Sequence, residues 1–305
     1  MQRQNPVYIE TYARGVFEQR IEKLEAILNE CKLCPRECCV NRNKGETGYC
    51  NSDNHLMLSS VQPHFGEEDV LVGSHGSGTI FLTNCNLGCL YCQNYDISHL
   101  GHGHRITEQE LALNVLALQR RGCHNINFVT PTHYTPQIVK ALQIAIEKGL
   151  HIPVVYNCSG YESRNTIELL DGIVDIYMPD IKYGDTENAK RYSNAPDYFD
   201  WCKEAVTEMH RQVGDLRVDE RGIAVRGLLI RHLVLPNGLA GSAAVLKFIA
   251  TEISKDTYVN IMAQYRPMYK AYEYEELTRG LKTSEYREVI DIAREWGLHR
   301  GFEEI

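Results

Sequence analysis

The chain has 305 residues, of which 43% are hydrophobic and 24% are charged, and its formal net charge at pH 7 is −8. These proportions are typical of a globular protein with a sizeable core. The acidic balance argues against a general nucleic-acid-binding surface, which depends on clustered lysine and arginine. No apolar run approaches the roughly 18–20 residues that span a bilayer, and the N-terminus carries charges where a signal peptide needs an apolar stretch. We therefore expect a cytoplasmic protein without nucleic-acid or membrane partners.

The first quarter of the chain combines a helix with a cysteine-rich segment. Residues 9–30 place apolar side chains at helical spacing, which predicts one amphipathic helix. From residue 31 to about residue 78 no periodicity is sustained, and Cys, Pro, Gly, Asn and Asp are frequent. We expect a loop-dominated module that needs a metal or the main domain to hold it. The predicted domains are therefore residues 1–77, the helix and cysteine module, and residues 78–305, the main domain with C-terminal helices.

Short apolar runs alternate with amphipathic stretches from residue 79 onward. The predicted strands are 79–83, 125–130, 153–156, 174–178, 228–235 and 258–263. The predicted helices are 108–121, 136–148, 166–170, 197–213, 240–253 and 284–296. This alternation, with strands buried on both faces, predicts an α/β fold whose parallel sheet is covered by helices. Six such units would form a partial (β/α)6 TIM-like barrel rather than a closed eight-stranded one.

Polar side chains follow the carboxyl ends of these strands, where functional residues of such sheets lie. Asp180 and Lys182 are two residues apart and would face the same side, and burying such a pair is costly unless it is functional or internally satisfied. His232 lies late in an apolar strand, where a histidine is either a satisfied core group or a contact in the site. We name these three as candidate catalytic residues. His64, Glu67 and Glu68 could reach the same mouth, although loop charges are more often solvated.

The chain contains 11 cysteines, eight of them in two tight groups. In a reducing compartment such groups indicate metal or cluster ligands. Cys85, Cys89 and Cys92 form a C-x3-C-x2-C loop after the first strand, which can hold a [4Fe–4S] cluster and leave one iron open. That iron can bind S-adenosylmethionine (SAM) and pass one electron to its sulfonium. A zinc knuckle and coincidental thiols are the alternatives.

Four upstream cysteines have the spacing of a second metal site, with Cys39 in excess. They are Cys31, Cys34, Cys38 and Cys50. Four sulfur ligands suit structural Zn²⁺, and the same four could hold an auxiliary iron–sulfur cluster. Zinc could only stabilise the module, whereas a cluster could relay electrons or engage substrate. The spacing leaves both possibilities open.

The three-cysteine loop, with Tyr91 just before its last cysteine, resembles the radical SAM superfamily. In that family the aromatic side chain packs near the adenine, a role that the resemblance implies for Tyr91. Further stretches are similar to the pyruvate formate-lyase activating enzyme-like group, which is related to the glycyl-radical-enzyme activases. These stretches are 31–38, 40–42, 45–50, 64–68, 76–80, 92–98 and 129–133.

The resemblance also implies SAM contacts. The family has a Gly-Gly-Glu-like turn that meets the SAM amino group, but this chain has Thr-Pro-Thr-His there, so Thr130 and Thr132 become the candidates. Asn157 and Ser159 are candidates for the ribose hydroxyls. The alternative for each of these four is an ordinary strand-end turn residue. In the activases an acidic–basic pair comparable to Asp180 and Lys182 lies near SAM and substrate.

The expected activity is that of a radical SAM oxidoreductase, which cleaves SAM reductively to a 5′-deoxyadenosyl radical that abstracts hydrogen. The substrate is then a glycine α-carbon of a glycyl radical enzyme, or else a small molecule or another protein residue. A non-catalytic metal-binding scaffold is the third hypothesis. The expected partners are SAM, a reduced flavodoxin or ferredoxin as electron donor and, under the first hypothesis, a glycyl radical enzyme.

Overall fold

A computed structural model describes residues 5–302, and its described strands form one sheet. They are β1 (Leu56–His64), β2 (Ser77–Leu82), β3 (His104–Ile106), β4 (Ile126–Val129), β5 (Val154–Cys158), β6 (Ile176–Pro179), β7 (Arg217–Val218), β8 (Ala224–Leu233) and β9 (Tyr258–Met262). The strand order is β3-β1-β2-β4-β5-β6-β8-β7, and β9 also pairs with β8.

Helices separate most of these strands. They are α1 (Val7–Ala13), α2 (Val16–Ile27), α3 (Asp69–Val72), α4 (Tyr95–Ser98), α5 (Glu108–Arg120), α6 (Thr135–Glu147), α7 (Arg164–Glu168), α8 (Thr186–Ser193), α9 (Tyr198–Val213), α10 (Ser242–Phe248) and α11 (Thr283–Glu295). A π-helical turn, Ile249–Ile253, continues α10. Short 3-10 turns lie at Leu28–Glu30, Arg42–Lys44, Thr132–Tyr134, Pro236–Gly238, Tyr269–Glu273 and Glu275–Leu277. Within residues 5–302 we find no helix with the length and apolarity needed to cross a membrane.

Six strands run parallel, and they are the six that the sequence predicts. β2, β4, β5, β6, β8 and β9 pair in that order, and all five pairings are parallel. The strands β1, β3 and β7 join at the margins by antiparallel pairing. Across the described residues no pairing closes β9 onto the opposite edge, so the sheet is open. The predicted α/β fold with a mostly parallel sheet is confirmed.

Local sequence signals explain where the main helices begin. The side chain of Thr107 accepts a hydrogen bond from the Glu110 backbone N–H at 3.2 Å, and Glu110 returns a bond to the Thr107 N–H at 2.8 Å. This capping box fixes the start of α5. Pro136 lies in the first turn of α6, where its missing N–H costs nothing. The buried faces of α5 and α6 pack on the strands and complete the core.

The N-terminal part differs from the prediction in two ways. The single helix expected over 9–30 is two helices, because Gly15 adopts a left-handed conformation (φ 68°) between them. The segment expected to be loop contains β1, which pairs with β2 and so belongs to the main sheet although it precedes residue 78. Its sequence alternates only near Leu56 and Leu58, which explains why periodicity does not reveal it. The division at residue 77 stays a prediction.

Candidate active site

One cavity of about 370 Å³ lies at the carboxyl ends of the parallel strands. Cys85, Cys89 and Cys92 all line it, together with residues that end or follow the neighbouring strands. These residues are Thr130, Asn157, Cys158, Ser159, Asp180, Lys182, Arg231, Leu233, Met262 and Gln264. The loop after β2 and the other strand ends therefore meet at one mouth, as parallel topology requires.

The three loop cysteines fit a [4Fe–4S] cluster. The Leu87 backbone N–H donates to Cys85 Sγ at 3.4 Å, and Ser98 Oγ donates to Cys92 Sγ at 3.2 Å. Burial raises the pKa of Cys85 to about 12, so this thiol keeps its proton at neutral pH unless a metal displaces it. Three thiols around one cavity suit a cluster that spreads its ligands over several irons and leaves one iron open.

Two further observations describe the metal-binding potential of the chain. Among residues 5–302, no three His, Cys, Asp or Glu side chains converge closely enough to hold a single ion. A second, much smaller cavity, of about 10 Å³, is lined by Cys31, Cys34, Cys38 and Cys50 but not by Cys39. The structure thus brings together the four upstream cysteines that the spacing selects, and Cys39 is exposed.

Tyr91, the candidate for the adenine contact, lies beside the cysteine loop. Tyr91 lines the main cavity and is 4% exposed. Its ring makes edge-on contacts with Tyr265 (centroids 5.9 Å apart) and Tyr183 (6.3 Å). These neighbours hold the aromatic plane in place beside the cysteine loop.

The two candidate threonines point in different directions. Thr130 lines the cavity with φ at 56°, a left-handed conformation that is an outlier for a β-branched residue. Its backbone N–H donates to the Asn157 carbonyl at 2.8 Å. Thr132 is not among the residues lining the cavity, because its buried hydroxyl donates to Glu162 Oε1 at 2.7 Å. The structure therefore places only Thr130 where it could meet SAM, while Asn157 and Ser159 both line the cavity.

A largely buried ion-pair network forms one wall of the cavity. Asp180 binds Lys182 Nζ through Oδ2 at 2.6 Å and Arg231 Nε through Oδ1 at 2.6 Å. Arg231 also donates to Glu67 Oε2 at 3.0 Å and to Asn157 Oδ1 at 2.8 Å. Burial alone would raise the pKa of Asp180, but Arg231 and Lys182 outweigh it and hold the pKa below its ordinary value. The same carboxylate keeps Lys182 protonated by raising its pKa against the effect of burial.

Two neighbouring residues of β8 differ from the sequence prediction. Arg231 is absent from the predicted site, although a charged residue inside an apolar strand run was a usable signal. His232 is predicted as catalytic, but it does not line the cavity. Its Nδ1 contacts the Ile181 carbonyl at 2.6 Å and its Nε2 contacts Ser242 Oγ at 2.8 Å. The structure corrects this prediction, because His232 is a fully buried and internally satisfied core group.

The end of β1 and the loop that follows it reach the cavity as well. His64 and Glu67 line it, and burial raises the pKa of Glu67. Glu68 does not line it, and its Oε1 accepts a bond from Asn260 Nδ2 at 2.8 Å. The strand that sequence periodicity missed therefore supplies part of the site.

Comparison with known proteins identifies the family. A family model described as "Radical SAM superfamily" matches residues 79–215, which include the cysteine loop and the Asp180–Lys182 pair. An uncharacterized protein of Methanocaldococcus jannaschii, MJ0674, is 33% identical over 293 residues, which cover 93% of this chain and 80% of that protein. The chain belongs to the radical SAM superfamily. A radical SAM protein binds a [4Fe–4S] cluster and SAM and cleaves SAM by means of the cluster, so these predicted cofactors are confirmed.

Other similar proteins agree with the fold. A second uncharacterized M. jannaschii protein, MJ0808, is 25% identical over 280 residues, which cover 82% of this chain and 74% of that protein. A radical SAM methyltransferase from Sphaerobacter thermophilus matches with TM-score 0.51 and 16% identity, covering 73% of this chain and 64% of that one. HydG, a maturase of the [FeFe]-hydrogenase, matches with TM-score 0.52 and 12% identity, covering 76% and 52%. These two solved structures share the radical SAM fold, and this chain spans less than two thirds of either.

Proposed function

We propose that Cys85, Cys89 and Cys92 hold the cluster of this radical SAM enzyme and that the resulting radical abstracts hydrogen from a substrate bound in the same cavity. The observation that supports this proposal is that the three thiols share one cavity with Asp180, Lys182 and the other strand-end residues. Family membership supports the SAM chemistry, and the assignment of these ligands rests on the loop geometry.

A cluster held by these three cysteines would supply the electron for reductive cleavage of the SAM sulfonium to methionine and a 5′-deoxyadenosyl radical. Tyr91 would pack against the adenine, and Thr130 would meet the amino group of SAM. Asn157 and Ser159 would bind the ribose hydroxyls. The charged groups of Lys182 and Arg231 are hydrogen-bond donors at the cavity wall. Asp180 holds both groups in place, so that they can bind a carboxylate in a defined orientation.

Two substrate classes follow from different observations. The sequence resemblance to activases favours a glycine α-carbon on a partner protein, which would make this protein a glycyl-radical-enzyme activase. The buried, charged wall formed by Asp180, Lys182 and Arg231 favours a small polar substrate with a charged group. A stable glycyl radical signal on a co-expressed partner would support the first class. Turnover of a small polar molecule without any partner would support the second.

The deciding experiment compares wild type with a Cys85→Ala/Cys89→Ala/Cys92→Ala variant under anaerobic conditions. We expect the variant to lose about four irons per chain and to lose all 5′-deoxyadenosine formation with dithionite. The reduced wild-type EPR signal should change when SAM is added. Cys123→Ala is the matched control, because Cys123 is buried outside both cavities. If the triple variant retained a SAM-responsive signal, the ligand assignment would be wrong.

A further inference from the structure

His133 belongs to the main domain, yet it lines the small cavity of the cysteine module. Its Nε2 lies 2.9 Å from the Thr83 carbonyl oxygen. Because a carbonyl can only accept, Nε2 carries the proton, and Nδ1 of the neutral ring is left with a free lone pair. That Nδ1 is buried and has no hydrogen-bond partner among the described residues. The side chain as a whole is 1% exposed.

A buried acceptor without a partner costs about 1–3 kcal/mol, so its presence needs an explanation. Histidines that bind metals use one nitrogen as ligand and donate the other N–H to a carbonyl or carboxylate. His133 has this arrangement, with Nε2 bound to a backbone carbonyl and Nδ1 free. The thiols of Cys31, Cys34, Cys38 and Cys50 line the same cavity.

The surroundings of these thiols suit metal-bound sulfur. The Tyr49 backbone N–H donates to Cys38 Sγ at 3.3 Å. A Cβ on Gly48 would lie 2.7 Å from the same sulfur, so only glycine lets the chain approach this closely. The Arg42 guanidinium is buried, and its Nη1 lies 3.9 Å from Cys31 Sγ. A positive charge at this distance offsets the negative charge that several thiolates accumulate.

We propose that His133 Nδ1 and three of the four upstream cysteines, Cys34 among them, form a second, sulfur-rich metal centre with four protein ligands, in which the main domain supplies the histidine. Thiolate and imidazole donors select Zn²⁺ or an iron–sulfur cluster over hard cations such as Mg²⁺ or Ca²⁺. As in the cluster loop, the donors surround the cavity without converging on one point.

The centre contacts the radical SAM loop from two sides. Thr83, whose carbonyl binds His133, lies two residues before Cys85. Arg36 lies between Cys34 and Cys38, and its guanidinium donates to the Asn86 and Leu87 carbonyls at 3.0 Å each. A metal that orders the cysteine module therefore also stabilises the position of the loop that carries Cys85, Cys89 and Cys92. This inference goes beyond the proposed function and does not depend on SAM cleavage.

The test measures metal content in the Cys85→Ala/Cys89→Ala/Cys92→Ala variant, where any remaining metal belongs to the second centre. We expect either zinc at about one per chain or iron with acid-labile sulfide. Zinc would identify a structural zinc site, and iron with sulfide would identify an iron–sulfur cluster. Adding Cys34→Ala should remove this metal. Adding His133→Ala should speed its loss to a chelator at least tenfold and change the thiolate charge-transfer spectrum, measured with Co²⁺ if the metal is zinc. His151→Ala is the matched control, since His151 is exposed.

Circular dichroism and a His133→Gln variant separate ligand loss from misfolding. A folded His133→Ala protein with altered metal spectra supports the ligand role. Unchanged chelation and spectra in the His133→Ala and His133→Gln variants would overturn that role. Absence of stoichiometric metal from the triple variant, with Cys31, Cys34, Cys38 and Cys50 intact and the protein folded, would overturn the centre itself. Neither result would affect the assignment of Cys85, Cys89 and Cys92.

Discussion

Arg231 and His232 are consecutive residues of β8, but their side chains lie on opposite sides of the sheet. Arg231 lines the cavity and binds Asp180 at 2.6 Å, whereas His232 is buried against Ile181 and Ser242. Strand geometry requires this alternation. The sequence prediction of a catalytic residue at this strand end was therefore one position away from the side chain that faces the cavity.

This relationship predicts that substitution of His232 lowers stability, whereas substitution of Arg231 lowers activity. His232→Asn should lower the free energy of unfolding by about 1–3 kcal/mol, because one buried partner loses its hydrogen bond, and should leave SAM affinity within about twofold. Arg231→Lys keeps the charge but cannot bind Asp180, Glu67 and Asn157 together, so 5′-deoxyadenosine formation should fall at least tenfold. Urea titrations and anaerobic SAM binding measure the effects of His232→Asn, and the amount of 5′-deoxyadenosine formed with dithionite measures the effect of Arg231→Lys. Weakened SAM binding in His232→Asn, with Arg231→Lys unaffected, would reverse the assignment.

Asp180→Asn tests whether the ion-pair wall serves the chemistry or only the fold. The substitution removes the negative charge between Lys182 and Arg231, which should destabilise the protein by about 3 kcal/mol. We expect iron content to stay at the wild-type level while the yield of product per SAM cleaved falls. Asp200→Asn is the matched control, because Asp200 is exposed on α9. Normal product yield in folded Asp180→Asn would show that the wall is structural.

Sequence reasoning succeeded where signals are local. The six parallel strands follow from apolar runs, and the contact between Asp180 and Lys182 follows from their spacing of two residues just after β6. Sequence reasoning failed where a backbone conformation decides which way a side chain points. The left-handed backbone of Thr130 helps to decide which residues of the following turn reach the cavity, and Thr132 turns instead toward Glu162. Contacts between distant segments also leave no pattern in the sequence. Arg36, for example, binds carbonyls that lie 50, 51, 157 and 158 positions further along the chain.

Arg36 gives a third prediction, because it joins the cysteine module to two loops of the main domain. Besides the Asn86 and Leu87 carbonyls it reaches the Ser193 carbonyl at 2.9 Å and the Asn194 carbonyl. Lysine cannot make these bonds in one plane. Arg36→Lys should therefore release iron to a chelator at least threefold faster than wild type.

The matched control for Arg36 is Arg14→Lys, because Arg14 is 70% exposed and lies on the surface after α1. It should release iron at the wild-type rate. Equal rates for wild type and Arg36→Lys would show that the module does not brace the cluster loop.

Asp175 gives a pH-dependent prediction at the other end of the sheet. Its two oxygens accept bonds from the Val7 and Val154 backbone N–H groups at 2.7 and 2.9 Å, which attaches α1 to β5. Burial raises the pKa of Asp175 to about 7, although both hydrogen bonds oppose the shift. At pH values between the pKa of Asp175 in the unfolded chain, near 4, and its pKa in the folded protein, only the folded protein keeps this carboxyl protonated. Raising the pH through this window therefore costs stability.

The expected loss between pH 5.5 and 7.5 is about 2 kcal/mol of unfolding free energy, relative to an Asp175→Asn variant that cannot titrate there. The variant should be less stable overall, because its amide group offers one acceptor to two N–H groups. Since other groups titrate equally in both proteins, the difference between the two urea-midpoint profiles isolates Asp175. Parallel profiles would mean that Asp175 is ionised in the folded protein throughout this range, with its two hydrogen bonds outweighing burial.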